Sequence, residues 1–275
     1  MGRATMDRRR GVVTRRALLM ASGANRGAYY AGFLEPLQEA GIEFHILAGV
    51  SAGGIAAAWF AAGDPEALRR SWRVADRWRV AFHPWLEREH RRTVDHLIRT
   101  ITLRIMDLEA ARTAAPEVRV AASRIVGPGF PLPRLERRLF SSREARDEGE
   151  FALMLRATAF VPWINGCRAA VEIGGDRYLD GGLTGRVPLG MIRPGEVDEI
   201  WVAACSPNGM RELRSELQAA GDRPERLIPI TPSEPLPMTR WTMDWGRVST
   251  AMELGRRDVQ RVIDGLRTEG DGVSG

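Results

Sequence analysis

An apolar run that ends in Gly49-Val50-Ser51-Ala52-Gly53 and continues as an alanine-rich segment constrains this chain more than any other stretch. Phe44, Ile46 and Leu47 lead into Ala48-Gly49 as a short buried strand does, and the segment to Ala62 reads as helix. Strand, sharp turn and helix is the setting in which G-x-S-x-G lifts a serine above the edge of a sheet. Gly49 and Gly53 suit that turn because the backbone is strained there and neighbouring chain passes too close for a Cβ. Ser51 is thus a candidate nucleophile at a helix N-terminus, whose dipole favours the negative charge formed in acyl transfer. The competing reading is a small-residue turn with an incidental serine, since G-x-S-x-G alone is common.

A second strand–loop–helix unit precedes the first. Ala17 to Ala21 reads as a strand, Ser22 to Gly27 as a glycine-containing loop, and Gly27 to Ala40 as a helix closed by Gly41. Pro36 inside that helix should kink or divide it. The loop brings backbone N–H groups to the same sheet edge as Ser51. It fits neither phosphate-loop spacing, and its proximity to Ser51 favours an oxyanion hole aimed at the atom that Ser51 attacks.

Gly63-Asp64-Pro65 closes one helix and opens the next. Leu68, Trp72, Ala75, Trp78 and Phe82 then recur at helical spacing, with arginines on other faces. His83-Pro84 should break that helix, and Val94, Leu97, Ile98, Ile101 and Ile105 form a second stripe. A helical cap packed on the sheet accounts for this pattern, and contact of its basic, Trp-bearing exterior with a membrane surface is compatible with it. Further along, Glu117 to Ala122 alternates as a strand and Gly127-Pro128-Gly129 closes a turn. Phe140 to Glu150 reads as a charged loop and Phe151 to Ala159 as a helix. Gly174-Gly175-Asp176 marks a hairpin that delivers Asp180. Glu199 to Cys205 and Arg226 to Ile230 read as core strands, and Val248 to Leu266 as a final helix.

Composition mainly excludes. At 275 residues and 44% hydrophobic content the chain suits a single α/β domain. No apolar run approaches the ~20 residues that span a bilayer. Cys167 and Cys205 provide neither a disulfide framework nor a metal cluster, so a reducing, cytoplasmic setting is expected, with no metal and no cofactor. All 40 basic residues are arginine against 35 acids. A net charge of +5 suits an anionic lipid surface as well as nucleic acid, and no nucleic-acid motif supports the latter. Met1 to Arg16 reads as a basic tail, because its apolar sequel is too short for a signal peptide.

A serine needs a base. The histidines, His45, His83, His90 and His96, all precede Asp180, so the Ser…Asp…His order of α/β-hydrolases is excluded. His45 suits a core or edge position, and the other three sit among arginines as surface residues do.

SGANRGAYYAGFLEPLQEAG followed by GVSAG, and far downstream YLDGGLTGRVP, resembles the patatin-like phospholipase family. That family has a G-G-G-x-R-G loop, a G-x-S-x-G elbow and a D-G-G or D-G-A motif, and uses a Ser–Asp dyad. The resemblance is dense over Leu18 to Ala62 and Leu155 to Pro188. It implies an α/β three-layer sandwich with a mainly parallel central sheet flanked by helices. Residues 1–16 would form a basic tail, 17–268 the single domain with a helical cap-like insertion at 63–115, and 269–275 a disordered tail.

The resemblance further implies lipid acyl-ester hydrolysis by Ser51 and Asp180 through an acyl-enzyme. Gly23, Ala24 and Asn25 would form the oxyanion hole, and Arg26, Gly27, Gly49, Gly53, Gly181 and Gly182 would support it. Arg26 would orient the loop, meet an anionic head group or bond nearby carbonyls. For Asp180 the alternative is a turn aspartate capping its own loop. Ser22 and Ala24 replace two glycines of the family loop, and Arg186 stands where Asn is frequent. Two other functions fit the same residues: a binding module whose altered loop no longer supports turnover, and an acyltransferase using Ser51 with a histidine.

Overall fold

A computed structural model describes residues 14–77, 94–130, 133–162, 169–187, 189–219, 221, 223–240 and 244–272. The expectations for Met1 to Val13, Trp78, Phe82, His83, His90, Cys167 and residues 273–275 fall outside that set.

The centre is an eight-stranded sheet built from β1 (Arg16–Met20), β2 (Ile46–Val50), β3 (Glu117–Gly127), β4 (Arg134–Ser141), β5 (Val171–Ile173), β6 (Asp176–Asp180), β7 (Glu199–Ala203) and β8 (Arg226–Ile230). Strands β3, β2, β1, β7 and β8 lie side by side and parallel. Two antiparallel additions complete the sheet. Strand β4 returns along one side of β3, and β6, paired with β5, joins its other side where β2 has ended.

Strands β1 and β2 are apolar almost throughout because both sheet faces are covered. Their side chains divide by alternation. Leu18, Met20, Leu47, Val118 and Val120 point into one core, which holds Tyr29, Phe33, Trp59 and Phe151. Ala17, Leu19, Ile46, Ala48 and Val50 point into the other, against Val187, Ile192 and Leu213. The result is the α/β three-layer arrangement with a mainly parallel sheet.

Helices α1 (Ala28–Ala31) and α2 (Leu34–Glu39) occupy the span expected as one helix. The division falls at Gly32-Phe33, four and three residues before Pro36, whose ring lacks the N–H that would bond the Gly32 carbonyl. Pro36 is tolerated in the first turn of α2, and Gly41 closes that helix at φ 64°, with Ile42 N–H on the Leu37 carbonyl (2.9 Å).

The buried helix α3 (Ala52–Ala62) is apolar on every side and sits against the sheet. Gly63 ends it at φ 72°, and Asp64 caps α4 (Pro65–Arg77) by accepting from Ala67 N–H (2.8 Å). Leu68 and Ala75 are buried while Arg69, Arg70 and Arg73 face outward.

The second apolar stripe departs from the expected phase. Between α5 (Val94–Leu97) and α6 (Leu103–Ile105) lies a five-residue π turn, Ile98–Thr102. Its wider winding brings Leu103 and Met106 inward beside Ile98. Helix α7 (Leu108–Thr113) then leads to β3.

Two boundaries also differ from expectation. The charged stretch beginning at Phe140 contains the end of β4 and the start of α8 (Glu148–Thr158), capped by Asp147 accepting from Glu150 N–H (2.8 Å). Beyond α9 (Pro207–Ala219), the last helix, α10, runs from Trp245 to Gly272. It passes both Leu266 and residue 269, because no proline interrupts that stretch. No helix among the described residues is long and apolar enough to cross a membrane.

Candidate active site

The chain turns from β2 into α3 on a single residue. Ser51 has φ 56° and ψ −123°, a conformation that costs a residue with a Cβ on the order of 1–3 kcal/mol and persists only where the surroundings enforce it. Ser51 N–H donates to Thr158 Oγ1 (2.9 Å), and Thr158 Oγ1 donates in turn to the Ala121 carbonyl (2.6 Å). The Ser51 carbonyl accepts from Ile55 N–H (3.1 Å), the first bond of α3. Gly53 allows the turn to lie on β1, since a Cβ there would strike the Met20 carbonyl.

Strand β6 runs back toward this turn and ends at Asp180. Ser51 Oγ donates to Asp180 Oδ2 at 2.6 Å, and Gly182 N–H donates to Asp180 Oδ1 at 2.7 Å. The main chain of Asp180 is fixed as well. Its N–H donates to the Phe160 carbonyl (2.8 Å), and its carbonyl accepts from Ser123 Oγ (2.8 Å). Ser51 is 8% exposed and Asp180 6%. Burial pushes the Asp180 carboxyl up to about 6, against the opposing pull of the Ser51 and Gly182 bonds and the Arg186 charge. A carboxyl so placed is ionised at neutral pH yet more basic than a free aspartate.

The loop from Ser22 to Gly27 borders the same place. Ser22 N–H donates to the Arg186 carbonyl (3.0 Å), tying the loop to the segment after Asp180. Ala24 has φ 50°, unusual for a residue with a side chain. Among the described residues, the N–H groups of Gly23 and Ala24 have no hydrogen-bond partner. The Asn25 N–H differs from expectation: it is turned to the Arg240 carbonyl (3.4 Å), which takes it from the set of available donors. The Arg26 guanidinium has no ion pair or hydrogen bond among the described residues, so the carbonyl-bonding role is not seen.

The remaining glycines set distances. A Cβ on Gly27 would meet Ala52 Cβ at 2.8 Å, and one on Gly182 would meet Asp180 Oδ1 at 2.9 Å. On Gly49 and Gly181 a Cβ would strike the Gly53 and Ala121 carbonyls.

Ser51, Ala24, Asn25 and Gly27 also line an apolar cavity of ≈140 Å³. Its walls include Ile55, Trp59, Leu68, Trp72, Leu97 and Ile98, so α4 and the chain after it supply much of the lining. Cys205 lies beneath Gly23, but burial pushes its thiol up to about 12, which leaves it protonated and unreactive. His45 precedes β2 at the opposite end of the strand from Ser51, accepting from Arg16 N–H (3.3 Å). Among the described residues no group of three or more His, Cys, Asp or Glu could hold a metal ion.

Sequence reasoning missed Thr158 and Ser123. A signal existed for Ser123, a polar residue at the end of the apolar run Val118 to Ala122. Thr158 carried none beyond its place at the end of a helix.

The family model for patatin-like phospholipases matches residues 18–192, a span containing the loop, the Ser51 turn and Asp180. This chain belongs to the patatin-like phospholipase family. Patatin-like enzymes are lipid acyl hydrolases, and that is the enzyme class to which the chain is assigned. Among solved structures it is similar to VipD from Legionella pneumophila, at 13% identity over 91% of this chain and 67% of that one, with a TM-score of 0.49. It is also similar to ExoU in the ExoU–SpcU complex of the Pseudomonas aeruginosa type III secretion system, at 15% identity over 93% of this chain and 51% of ExoU, with a TM-score of 0.46. The chain thus spans about half the length of ExoU. No curated protein matches the sequence significantly.

Proposed function

We propose that this patatin-like protein hydrolyses carboxylic esters of fatty acids by a two-step reaction at Ser51. The observation that carries the reading is the 2.6 Å bond between Ser51 Oγ and Asp180 Oδ2 at the margin of an apolar cavity. Ser51 Oγ attacks the ester carbonyl carbon as Asp180 Oδ2 takes its proton. The carbonyl oxygen becomes an oxyanion, held by the N–H groups of Gly23 and Ala24 and favoured by the N-terminus of α3. The C–O bond to the alcohol then breaks, and the alcohol leaves with the proton from Asp180. Water attacks the acyl-enzyme, Asp180 accepts its proton, and Ser51 regains a proton as the fatty acid is released.

The acyl chain occupies the cavity, with Leu68, Trp72, Leu97 and Ile98 of the cap-like insertion forming one wall. At ≈140 Å³ the space resembles the roughly 150 Å³ apolar cavity that admits benzene, so it takes an acyl group of short to medium length. Longer chains extend out of it.

One observation favours a second reading, a binding module without turnover. Asn25 N–H is bonded to the Arg240 carbonyl, so two oxyanion donors, the Gly23 and Ala24 N–H groups, remain where three were expected. Incubation with a fluorophosphonate followed by mass spectrometry separates the two. Covalent modification at Ser51, absent in Ser51→Ala, supports the hydrolase; an unmodified Ser51 supports the binding module.

A further inference from the structure

We infer that the tip of the β3–β4 hairpin docks this protein on the surface of an anionic lipid bilayer, with the Ser51 edge of the sheet turned toward the lipid. The argument begins with register. Val50, the last residue of β2, pairs with Ala121, and Asp180 pairs with Ala122. Strand β3 does not stop there but continues to Gly127 with β4 beside it. Five residues at about 3.3 Å each carry the hairpin roughly 16 Å past the edge where Ser51 and Asp180 meet.

The tip is chemically unlike the rest of the surface. Phe130 is 99% exposed and Val126 43%, and they are the two large hydrophobic side chains most exposed among the described residues. Val126 lies where the β3–β4 pairing shifts register between Ile125 and Gly127, and a bulge of this kind turns a side chain out of the ladder. No acidic residue occurs in the sequence from 125 to 135.

Charge on the returning strand supplies the complementarity. Arg134 is exposed, and among the described residues its guanidinium has neither an ion pair nor a hydrogen bond. Arg137 bonds the Thr184 carbonyl (2.7 Å) and its charge is partly offset by Glu216, so it adds less than Arg134. Arg124 and Arg138 are neutralised by Glu136, Asp176 and Glu144 and add little. An exposed aromatic side chain with an exposed arginine that has no carboxylate partner is the pattern that inserts among lipid head groups and is held there by anionic ones. The chemistry also fits the position, because a lipid bound this way lies on the side of the sheet from which Ser51 is approached. That last point rests on the hydrolase reading; the docking itself does not.

The test is sedimentation with vesicles of phosphatidylcholine alone and of equal parts phosphatidylcholine and phosphatidylglycerol, using wild type, Phe130→Ser and Arg134→Glu. Wild type should sediment with the mixed vesicles and remain in solution with the neutral ones. Phe130→Ser should weaken partitioning about tenfold, and Arg134→Glu at least about fivefold, lost again for wild type at high salt. Turnover of a soluble short-chain ester should be unchanged in both variants, since neither side chain lines the cavity. Equal sedimentation of Phe130→Ser and wild type, or no sedimentation of wild type, overturns the proposal. So does a wild-type dimer that Phe130→Ser converts to monomer, because a second copy then covers the tip. Vesicle binding without ester turnover in wild type leaves docking standing and removes the hydrolase reading instead.

Discussion

Thr158 holds the backbone of Ser51: one hydroxyl accepts the Ser51 N–H at 2.9 Å and donates to the Ala121 carbonyl at 2.6 Å. The turn of Ser51, at φ 56°, is thereby braced from β3 across the end of α8. Thr158→Val keeps the shape but leaves both backbone groups unpaired in a buried place, costing about 1–3 kcal/mol. We expect kcat to fall with KM little changed, and Thr158→Ser to recover most of both stability and kcat. Denaturant melts and steady-state kinetics on the two variants check this.

Burial of Asp180 links catalysis to pH and to stability. A base pushed up to about 6 must be ionised to accept the Ser51 proton, so activity should rise with pH through an apparent pKa near 6 and level off above it. The folded value exceeds the ordinary 3.8, so the folded state holds this proton more tightly than the unfolded one does. Stability from this group is therefore complete below about pH 4 and lost as pH rises through about 6. Asp180→Asn should abolish turnover yet raise Tm at pH 8, with the gain shrinking toward pH 4.

Arg186 acts on the same carboxyl as the weakest of the influences that hold it down, after the Ser51 and Gly182 bonds. Its ion pair with Glu212 (3.5 Å) is half-exposed and contributes little to stability. Arg186→Gln should move the acid limb of the pH–rate profile upward by a fraction of a unit while leaving Tm nearly unchanged. A profile that does not move would show that the Arg186 charge is screened from Asp180.

Ala24 occupies a backbone conformation that glycine adopts freely, at φ 50°. Replacing it by glycine removes a strain on the order of 1–2 kcal/mol, partly offset by the greater freedom of glycine in the unfolded chain. We expect Ala24→Gly to be neutral or up to about 1 kcal/mol more stable by urea denaturation, and to hydrolyse esters at least as fast as wild type.

The cavity beside Ser51 sets a chain-length optimum. Each methylene buried contributes roughly 0.8 kcal/mol, so kcat/KM should climb about fourfold per carbon over short acyl groups and then stop rising once the ≈140 Å³ is filled. Ala56→Leu, which intrudes on the lining, should bring that plateau to shorter chains. A p-nitrophenyl ester series on both proteins measures it.

Much of the architecture was legible because its signals are local. The strand–turn–helix about Ser51, the punctuation at Gly63-Asp64-Pro65 and the Gly174-Gly175 hairpin each lie within a few consecutive residues, and the order of the Ser22–Gly27 loop, the Ser51 elbow and Asp180-Gly181-Gly182 carried the family resemblance. Strand β4 escaped notice because it is an edge: Arg134, Glu136, Arg137 and Arg138 face solvent, so no apolar alternation marks it. The π turn at Ile98–Thr102 shifted an apolar stripe that a regular helix would have kept in phase. Within the site, Thr158 and the Arg240 carbonyl on Asn25 were invisible for a different reason. Each acts through a contact between residues far apart in the chain, which no local pattern encodes.

The central claim is that Asp180 takes the proton of Ser51 as the serine attacks an ester. The most direct test is the initial rate of short-chain p-nitrophenyl ester hydrolysis at pH 8 by Asp180→Asn, beside wild type and Ser51→Ala. Loss of a general base is worth roughly 10²–10⁴-fold, so Asp180→Asn should fall by that factor and approach the Ser51→Ala background. An Asp180→Asn protein that keeps most of the wild-type rate would contradict the account.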